Sequence, residues 1–317
     1  MGTSDDGTLF GSFGARTLAE LRALLGPRRD RAYFAGGDRY PGSPTSEDFD
    51  LATAWRLSEA AALVYVNDEA FVAAAFRAAG AKTVRCFGFE AAAKSEAVLA
   101  SFADHSVLAF RGTEPDDPRD WVTDLDVALA AWPGGGRVHA GFKKALDDRD
   151  LFRRLIQALA EAPRPIHCTG HSLGGALAVL AAARLAQESV VRASDLRLMT
   201  FGTPRTGDAA FAANIRRPSY RVATAADCVP ELIAGLLGYV HVGELRLAET
   251  GLPPSADFAP PWFFSPPVAE GLRAGLKELF RRDAEEWLRP FAAHAPCLYA
   301  DLLRSCLERH RTDCRRG

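Results

Sequence analysis

The spacing of apolar and polar residues changes rhythm several times along the chain. From Phe49 to Val66 apolar residues recur at helical spacing. Asn67-Asp68 then reads as the N-cap of a second helix that reaches Ala79 and stops at Gly80. Thr83–Phe89 suits a strand. Glu96–Phe102 and Ser106–Arg111 flank Ala103-Asp104-His105 and read as a hairpin. Phe142–Ala162 is patterned as one amphipathic helix closed by Pro163. Ile166–Gly170 is a short apolar strand, and Leu173–Gln187 an apolar helix. Leu196–Phe201 and Tyr220–Ala225 read as strands, with Gly207–Arg216 helical between them. Tyr239–Leu247 is strand or hairpin material.

Strands alternating with helices predict an α/β fold with a mostly parallel central sheet flanked by helices on both faces. Residues 1–47, rich in Gly, Asp, Arg and Pro, read as an irregular N-terminal extension with one helical patch at Thr17–Leu25. No linker interrupts residues 48–317, which predicts a single domain. A Pro- and aromatic-rich insertion occupies about 251–290, with an amphipathic helix expected over Val268–Leu288.

Composition narrows the class. At 317 residues and 48% hydrophobic the chain buries a real core, and a net charge of −2 offers no footprint for nucleic acid. No stretch of ~18 apolar residues reads as a membrane span, and no secretory signal opens the sequence. The expected location is therefore cytoplasmic. None of the six cysteines forms a CxxC pair, so buried free thiols are expected rather than disulfides. Neither a metal nor an organic cofactor is called for.

The chemistry centres on Gly170-His171-Ser172-Leu173-Gly174, a G-x-S-x-G stretch between a strand and a helix. Small residues two before and two after the serine let strand and helix backbones approach. The serine then projects from a tight corner over a helix N-terminus, whose free N–H groups suit an oxyanion. Such a nucleophile needs a base and an orienting acid, in chain order Ser, Asp or Glu, His. Asp227 follows the strand Tyr220–Ala225 at the sheet's carboxyl end, where ligands gather in open α/β sheets. Asp195 precedes a strand, and Asp208 suits a helix cap. Of the seven histidines, His241, His294 and His310 follow the serine with room for an acid between. His241 sits in an apolar alternating stretch that suits a structural role. His310 lies in a charged tail. His294 occupies the loop before a helix, a position able to face a site.

Seven segments, in order, resemble the fungal-type, or class 3, lipases of the α/β-hydrolase superfamily. They are Ala109–Thr113 (R-G-[ST]) with Trp121–Asp124 (W-x-x-D), Val138–Phe142, GHSLGGA at residues 170–176, Thr200–Gly207, Asp227–Pro230, Tyr239–Glu244, and His294 to Tyr299 (H-x4-Y). The resemblance implies a triad of Ser172, Asp227 and His294. It implies an oxyanion hole built by Thr113 and the backbone N–H of Leu173, and a structural role for His241. Asp124, His139 and His171 are then supporting residues, with plain structural hydrogen bonding as the alternative. The activity implied is cleavage of lipid esters, by a triacylglycerol lipase or carboxylesterase. A phospholipase A1 or galactolipid acyl hydrolase uses the same triad, and a non-catalytic lipid-binding protein is the reading of another class. The partners implied are a lipid or ester substrate and transient contact with a membrane or lipid-droplet surface.

Two segments depart from the family pattern. Glu114–Asp120 is acidic and broken by prolines, where the fungal enzymes carry an apolar lid helix. Trp262, Phe263 and Phe264 in the insertion either pack on the core beside the site or line an acyl pocket or lipid-facing surface.

Overall fold

The computed structural model describes residues 17–89, 96–112, 128–147, 151–215, 217–231, 238–250 and 291–313. The first elements are α1 (Leu18–Leu25), α2 (Leu51–Leu63), α3 (Glu69–Ala78), β1 (Thr83–Phe87), β2 (Ala97–Ser101), β3 (Ser106–Phe110), β4 (Leu129–Ala131) and β5 (Arg137–His139). They are followed by α4 (Ala140–Leu146), α5 (Leu151–Leu159), β6 (Ile166–His171), α6 (Leu173–Gln187), β7 (Leu196–Phe201) and β8 (Gly207–Asp208). The last are α7 (Ala209–Ala213), β9 (Ser219–Ala223), β10 (Tyr239–Val240), β11 (Glu244–Leu247) and α8 (Pro296–Asp313).

Seven strands form the central sheet in the order β1-β2-β3-β6-β7-β9-β11. The pairs β3/β6, β6/β7, β7/β9 and β9/β11 are parallel, while β2 runs antiparallel to both neighbours. The sheet is thus mostly parallel, as its apolar runs suggest. Period-two alternation divides the core. Ala97, Leu99, Leu108, Phe110, Ile166, Cys168, Leu196 and Leu198 join the layer that includes α4, α5 and α6. Val98, Ala100, Val107, Ala109, Met199 and Phe201 join the layer that includes α2, α3 and α8. Helices cover both faces, which makes this an α/β-hydrolase fold.

Side-chain caps start the helices where the sequence places them. Asp50 Oδ1 accepts from Thr53 N–H at 2.7 Å, and Asp68 Oδ1 from Phe71 N–H at 3.0 Å. Thr17 and Glu20 form a reciprocal capping box on α1. Irregular as it is, the segment from 26 to 47 is packed down. Tyr33, Phe34 and Tyr40 are buried, and Arg31 bonds both Glu59 and Asp301 at 2.7 Å. That guanidinium ties the early segment to α2 and α8 at once.

Three expectations are corrected. The single helix over Phe142–Ala162 is two helices, α4 and α5. Asp147 stands at the C-cap of α4, where a carboxylate opposes the helix dipole. Gly207–Arg216 is helical only over α7, because Gly207–Asp208 pairs as a strand and Asp208 Oδ1 caps Phe211 N–H at 2.9 Å. Tyr239–Leu247 is not a hairpin. Gly243, at φ +90°, turns the chain between β10 and β11, which lie in different sheets. β10 belongs to a small antiparallel sheet, β10-β8-β5-β4, absent from the sequence reading. Its strands of two or three residues are too short to show alternation.

The five described cysteines carry free thiols; four are buried and Cys86 is half-buried. No helix among the described residues is long and apolar enough to cross a membrane.

Buried histidines couple the fold to pH. His167 Nε2 donates to Pro44 O at 2.7 Å, yet burial lowers its pKa to about 4. Burial likewise lowers His241 to about 4, against the pull of its bond to Glu231. A base with a depressed folded pKa takes up protons mainly when unfolded. Its stabilising contribution is complete above about pH 6.5 and is lost as pH falls towards 4. Tm should therefore fall between pH 6.5 and 4, and the profile of His167→Gln should be shallower. A thermal-melt series across this range checks it, and an identical slope in wild type and variant counts against this role for His167.

Candidate active site

β6 leaves the sheet at His171 and α6 begins at Leu173, so Ser172 alone makes the corner. Its backbone sits at φ 58°, ψ −130°, an unusual conformation for a residue bearing a Cβ. Confinement from both sides holds it there. Ser172 N–H donates to Phe201 O at 2.9 Å, and its carbonyl accepts from Gly175 N–H at 3.0 Å. A Cβ on Gly170 would overlap the Gly174 backbone, and one on Gly174 would overlap the end of β3 at Phe110. Glycine at both positions lets strand, helix and neighbouring strand meet at the corner. The alanine-rich α6 behind is almost wholly buried. Leu173 is its first residue, so its N–H has no acceptor within the helix and is available above the corner.

The chain delivers the acid just past β9. Asp227 N–H bonds Thr224 O at 3.2 Å, and Asp227 Oδ1 accepts from Val229 N–H at 2.9 Å. This turn holds the carboxylate with 4% of the residue exposed. His294 lies two residues before α8 and is fully buried. Its Nδ1 donates to Asp227 Oδ2 at 2.7 Å. An imidazole held in this way presents Nε2 as a base. The ring rests on that of His171, centroids 4.4 Å apart, and His171 directly precedes the serine. Gly202 joins the parts. It follows Phe201, the acceptor for Ser172 N–H, and has φ +56°. A Cβ there would lie 2.9 Å from Asp227 Oδ2, 3.0 Å from His294 Cε1 and 3.0 Å from Tyr299 Oη. The structure thus pairs His294 with Asp227 and sets the His294 ring against His171, the residue before Ser172.

Two tyrosines complete the surroundings, and the sequence reading gave neither a role. Tyr299 Oη donates to Asp227 Oδ2 at 2.6 Å, beside the His294 bond. Burial, then the Asp227 charge, raises its pKa well above 10, so it stays a donor. The H-x4-Y spacing is its signal: His294 precedes α8, and Tyr299 falls on the helix's first turn. Tyr65, just beyond α2, sets its hydroxyl 2.9 Å from His171 Nδ1. Burial, then the nearby His294, pushes the His171 pKa well below 6.5, and the ring stays neutral. His171 therefore supports His294 without adding charge.

The remaining sequence candidates divide. His139 caps α4, its Nδ1 accepting from Phe142 N–H at 3.3 Å, and its ring stacks on Phe142 at 3.9 Å. That is a structural duty in the small sheet. His241 bonds Glu231 at 3.2 Å, and Glu231 also pairs with Arg205. Burial works against the Glu231 charge, but His241 and Arg205 outweigh it and hold the carboxyl at about 2. Thr113, Asp124, Trp262, Phe263 and Phe264 lie outside the described residues, as do Glu114–Asp120 and the helix expected over Val268–Leu288. The neighbour of Thr113 is informative, however: Gly112 packs against His171 O and the Tyr65 hydroxyl. Among the described residues, no group of three or more His, Cys, Asp or Glu could hold a metal ion.

Comparison with known proteins matches this arrangement. The family model described as Lipase (class 3) matches residues 107–236, a span that contains Ser172 and Asp227. Over that span the chain is similar to the class 3 lipases. A lipase of Rhizomucor miehei is 35% identical over 146 residues, 43% of this chain and 40% of that protein. Phospholipase A1-II 2 of Oryza sativa subsp. indica is 27% identical over 77% of this chain and 70% of its own length. Among solved structures, a triacylglycerol lipase whose catalytic centre is a serine protease triad is 26% identical, with a TM-score of 0.52. That match covers 62% of this chain and 78% of the other. The match to the Rhizomucor lipase thus spans well under half of that relative.

Proposed function

We propose that this chain is a serine hydrolase that cleaves carboxylic esters of lipids through an acyl-enzyme on Ser172. The observation that carries the reading is the 2.7 Å bond from His294 Nδ1 to Asp227, made beside a serine at a strained strand–helix corner. Ser172 Oγ attacks the ester carbonyl as His294 Nε2 takes its proton. The carbonyl π pair moves onto oxygen, where the Leu173 N–H, with Thr113 as second donor, stabilises the oxyanion. Collapse expels the alkoxide, which takes the proton from His294. Water, deprotonated by the same imidazole, then attacks the acyl-enzyme; collapse breaks the bond to Ser172 Oγ, which takes the proton back from His294, and the carboxylic acid leaves. Asp227 fixes the tautomer and steadies the imidazolium.

Names of relatives support the substrate class, including a lipase and a triacylglycerol lipase. A panel of nitrophenyl esters, triacylglycerols and phospholipids tests it, alongside a fluorophosphonate probe. A folded chain that neither turns over any of these nor takes the probe is the non-catalytic lipid-binding protein instead. Phospholipase A1 action is the second reading, favoured by the extent of the rice relative. Release of the sn-1 acyl chain from phosphatidylcholine in preference to triacylglycerol hydrolysis selects it.

Tyr299 is assigned a positioning role. Tyr299→Phe removes one charge-assisted bond to Asp227 and nothing else of size. Such a bond is worth about 1.5–3 kcal/mol, and a loss of about 1.4 kcal/mol in the transition state is tenfold in rate. kcat should fall roughly tenfold with KM little changed, as read by steady-state kinetics on a soluble ester. A rate equal to wild type would remove Tyr299 from the relay.

A further inference from the structure

A cavity of about 250 Å³ lies at the opposite, amino end of the strands, between the start of α2 and the beginnings of β3 and β6. His167 opens β6 and Ser172 follows its end, so the two sites lie about 16 Å apart at roughly 3.3 Å per residue. The walls are apolar, formed chiefly by Phe34, Leu57, Phe76, Phe102 and Val107. One cation faces this space. Arg56 is half-buried, and its Nε and Nη2 are taken by the carbonyls of Tyr40 and Gly37. Among the described residues nothing bonds its Nη1. Asp38 and Asp50 act on Arg56 through space, and neither makes an ion pair with it. Asp38 is exposed at the rim, where water screens it. Burial lowers the pKa of the guanidinium, but arginine remains charged at neutral pH. His167, a histidine of the wall, is unlike it. His167 Nε2 donates to Pro44, which leaves Nδ1 as a lone pair, buried and without a donor. An anion is therefore directed to Arg56 and away from His167.

We infer that this cavity binds a medium-chain alkanoate, with its carboxylate on Arg56 Nη1 and its chain along the aromatic wall. A half-buried charge without a counter-ion is costly, and pairing with a carboxylate offsets that cost. The size is suitable. An engineered cavity of about 150 Å³ takes benzene, so this one takes a chain of roughly eight to ten carbons. The site is independent of the ester chemistry at Ser172.

Isothermal titration of the full chain with sodium octanoate and with 1-octanol tests it. Octanoate should bind, with octanol at least about tenfold weaker. Arg56→Gln should weaken octanoate at least about tenfold and leave octanol unchanged. Arg56 also holds the 37–40 segment, so a second variant guards against its unfolding. Ala79→Phe fills the cavity from its rim and should abolish both ligands, with Tm and ester hydrolysis unchanged. Octanoate binding that survives Ala79→Phe and inhibits hydrolysis competitively belongs at Ser172 and overturns the proposal. Equal affinity for octanol and octanoate overturns it, as does an absence of binding at millimolar octanoate.

Discussion

Ser172→Ala should abolish fluorophosphonate labelling and lower kcat by about 10⁴–10⁶-fold while the protein stays folded. The hydroxyl is the group that forms the covalent bond, and no neighbouring side chain replaces it. Alanine keeps the Cβ and hence the strain at φ 58°. Ser172→Gly should lose activity to the same degree but gain stability, by about 1 kcal/mol, because glycine occupies this region without a Cβ clash. Comparing the two variants by thermal melt and probe labelling separates the chemistry of the hydroxyl from the strain of its backbone. Labelling that persists in Ser172→Ala would move the nucleophile elsewhere and end the mechanism. A Tm for Ser172→Gly no higher than that of Ser172→Ala would show that the corner stores no strain.

Asp227→Asn is the second large effect. The carboxylate accepts from His294 Nδ1, Tyr299 Oη and Val229 N–H, and both side-chain donors converge on Oδ2. An amide in its place lacks the charge that steadies the imidazolium. If its nitrogen faces the ring, it also forces the proton onto Nε2, the wrong tautomer for a base. A fall in kcat of roughly 10⁴ is expected, with KM changed little. Single-turnover kinetics with a nitrophenyl ester should show acylation as the slowed step. A loss smaller than about tenfold would reduce Asp227 to a structural carboxylate.

Legibility in the sequence followed the length and contrast of each pattern. β2, β3, β6 and β7 are apolar runs bounded by polar turns, and Leu173–Gln187 is an unbroken apolar helix, so both their type and their extent could be read. The corner at Ser172 was legible because Gly170 and Gly174 are demanded by close backbone approach. Asp227 was legible because it ends a strand. His294 was one of three candidates until the ordered motifs resembled a family, since the contacts that select it come from residues 67 and 92 positions away, Asp227 and Gly202. Tyr65 looks like an ordinary apolar-face residue, and nothing local marks a hydroxyl aimed at a buried histidine; Tyr299 is marked only by its spacing from His294. The small sheet escaped because strands of two residues carry no period. The break between α4 and α5 escaped because apolar spacing continues across it, whereas Asp147, which ends α4, acts through charge.

The clamp made by Arg31 on Glu59 and Asp301 has a consequence for synthesis. The serine and its acid are translated well before the base, and α8, which carries Tyr299 and seats His294, packs on a helix made near the start. A nascent chain that has emerged as far as Pro230 contains Ser172 and Asp227 but lacks His294. The bond between His294 and Asp227 therefore forms only when late-made sequence closes over early-made sequence.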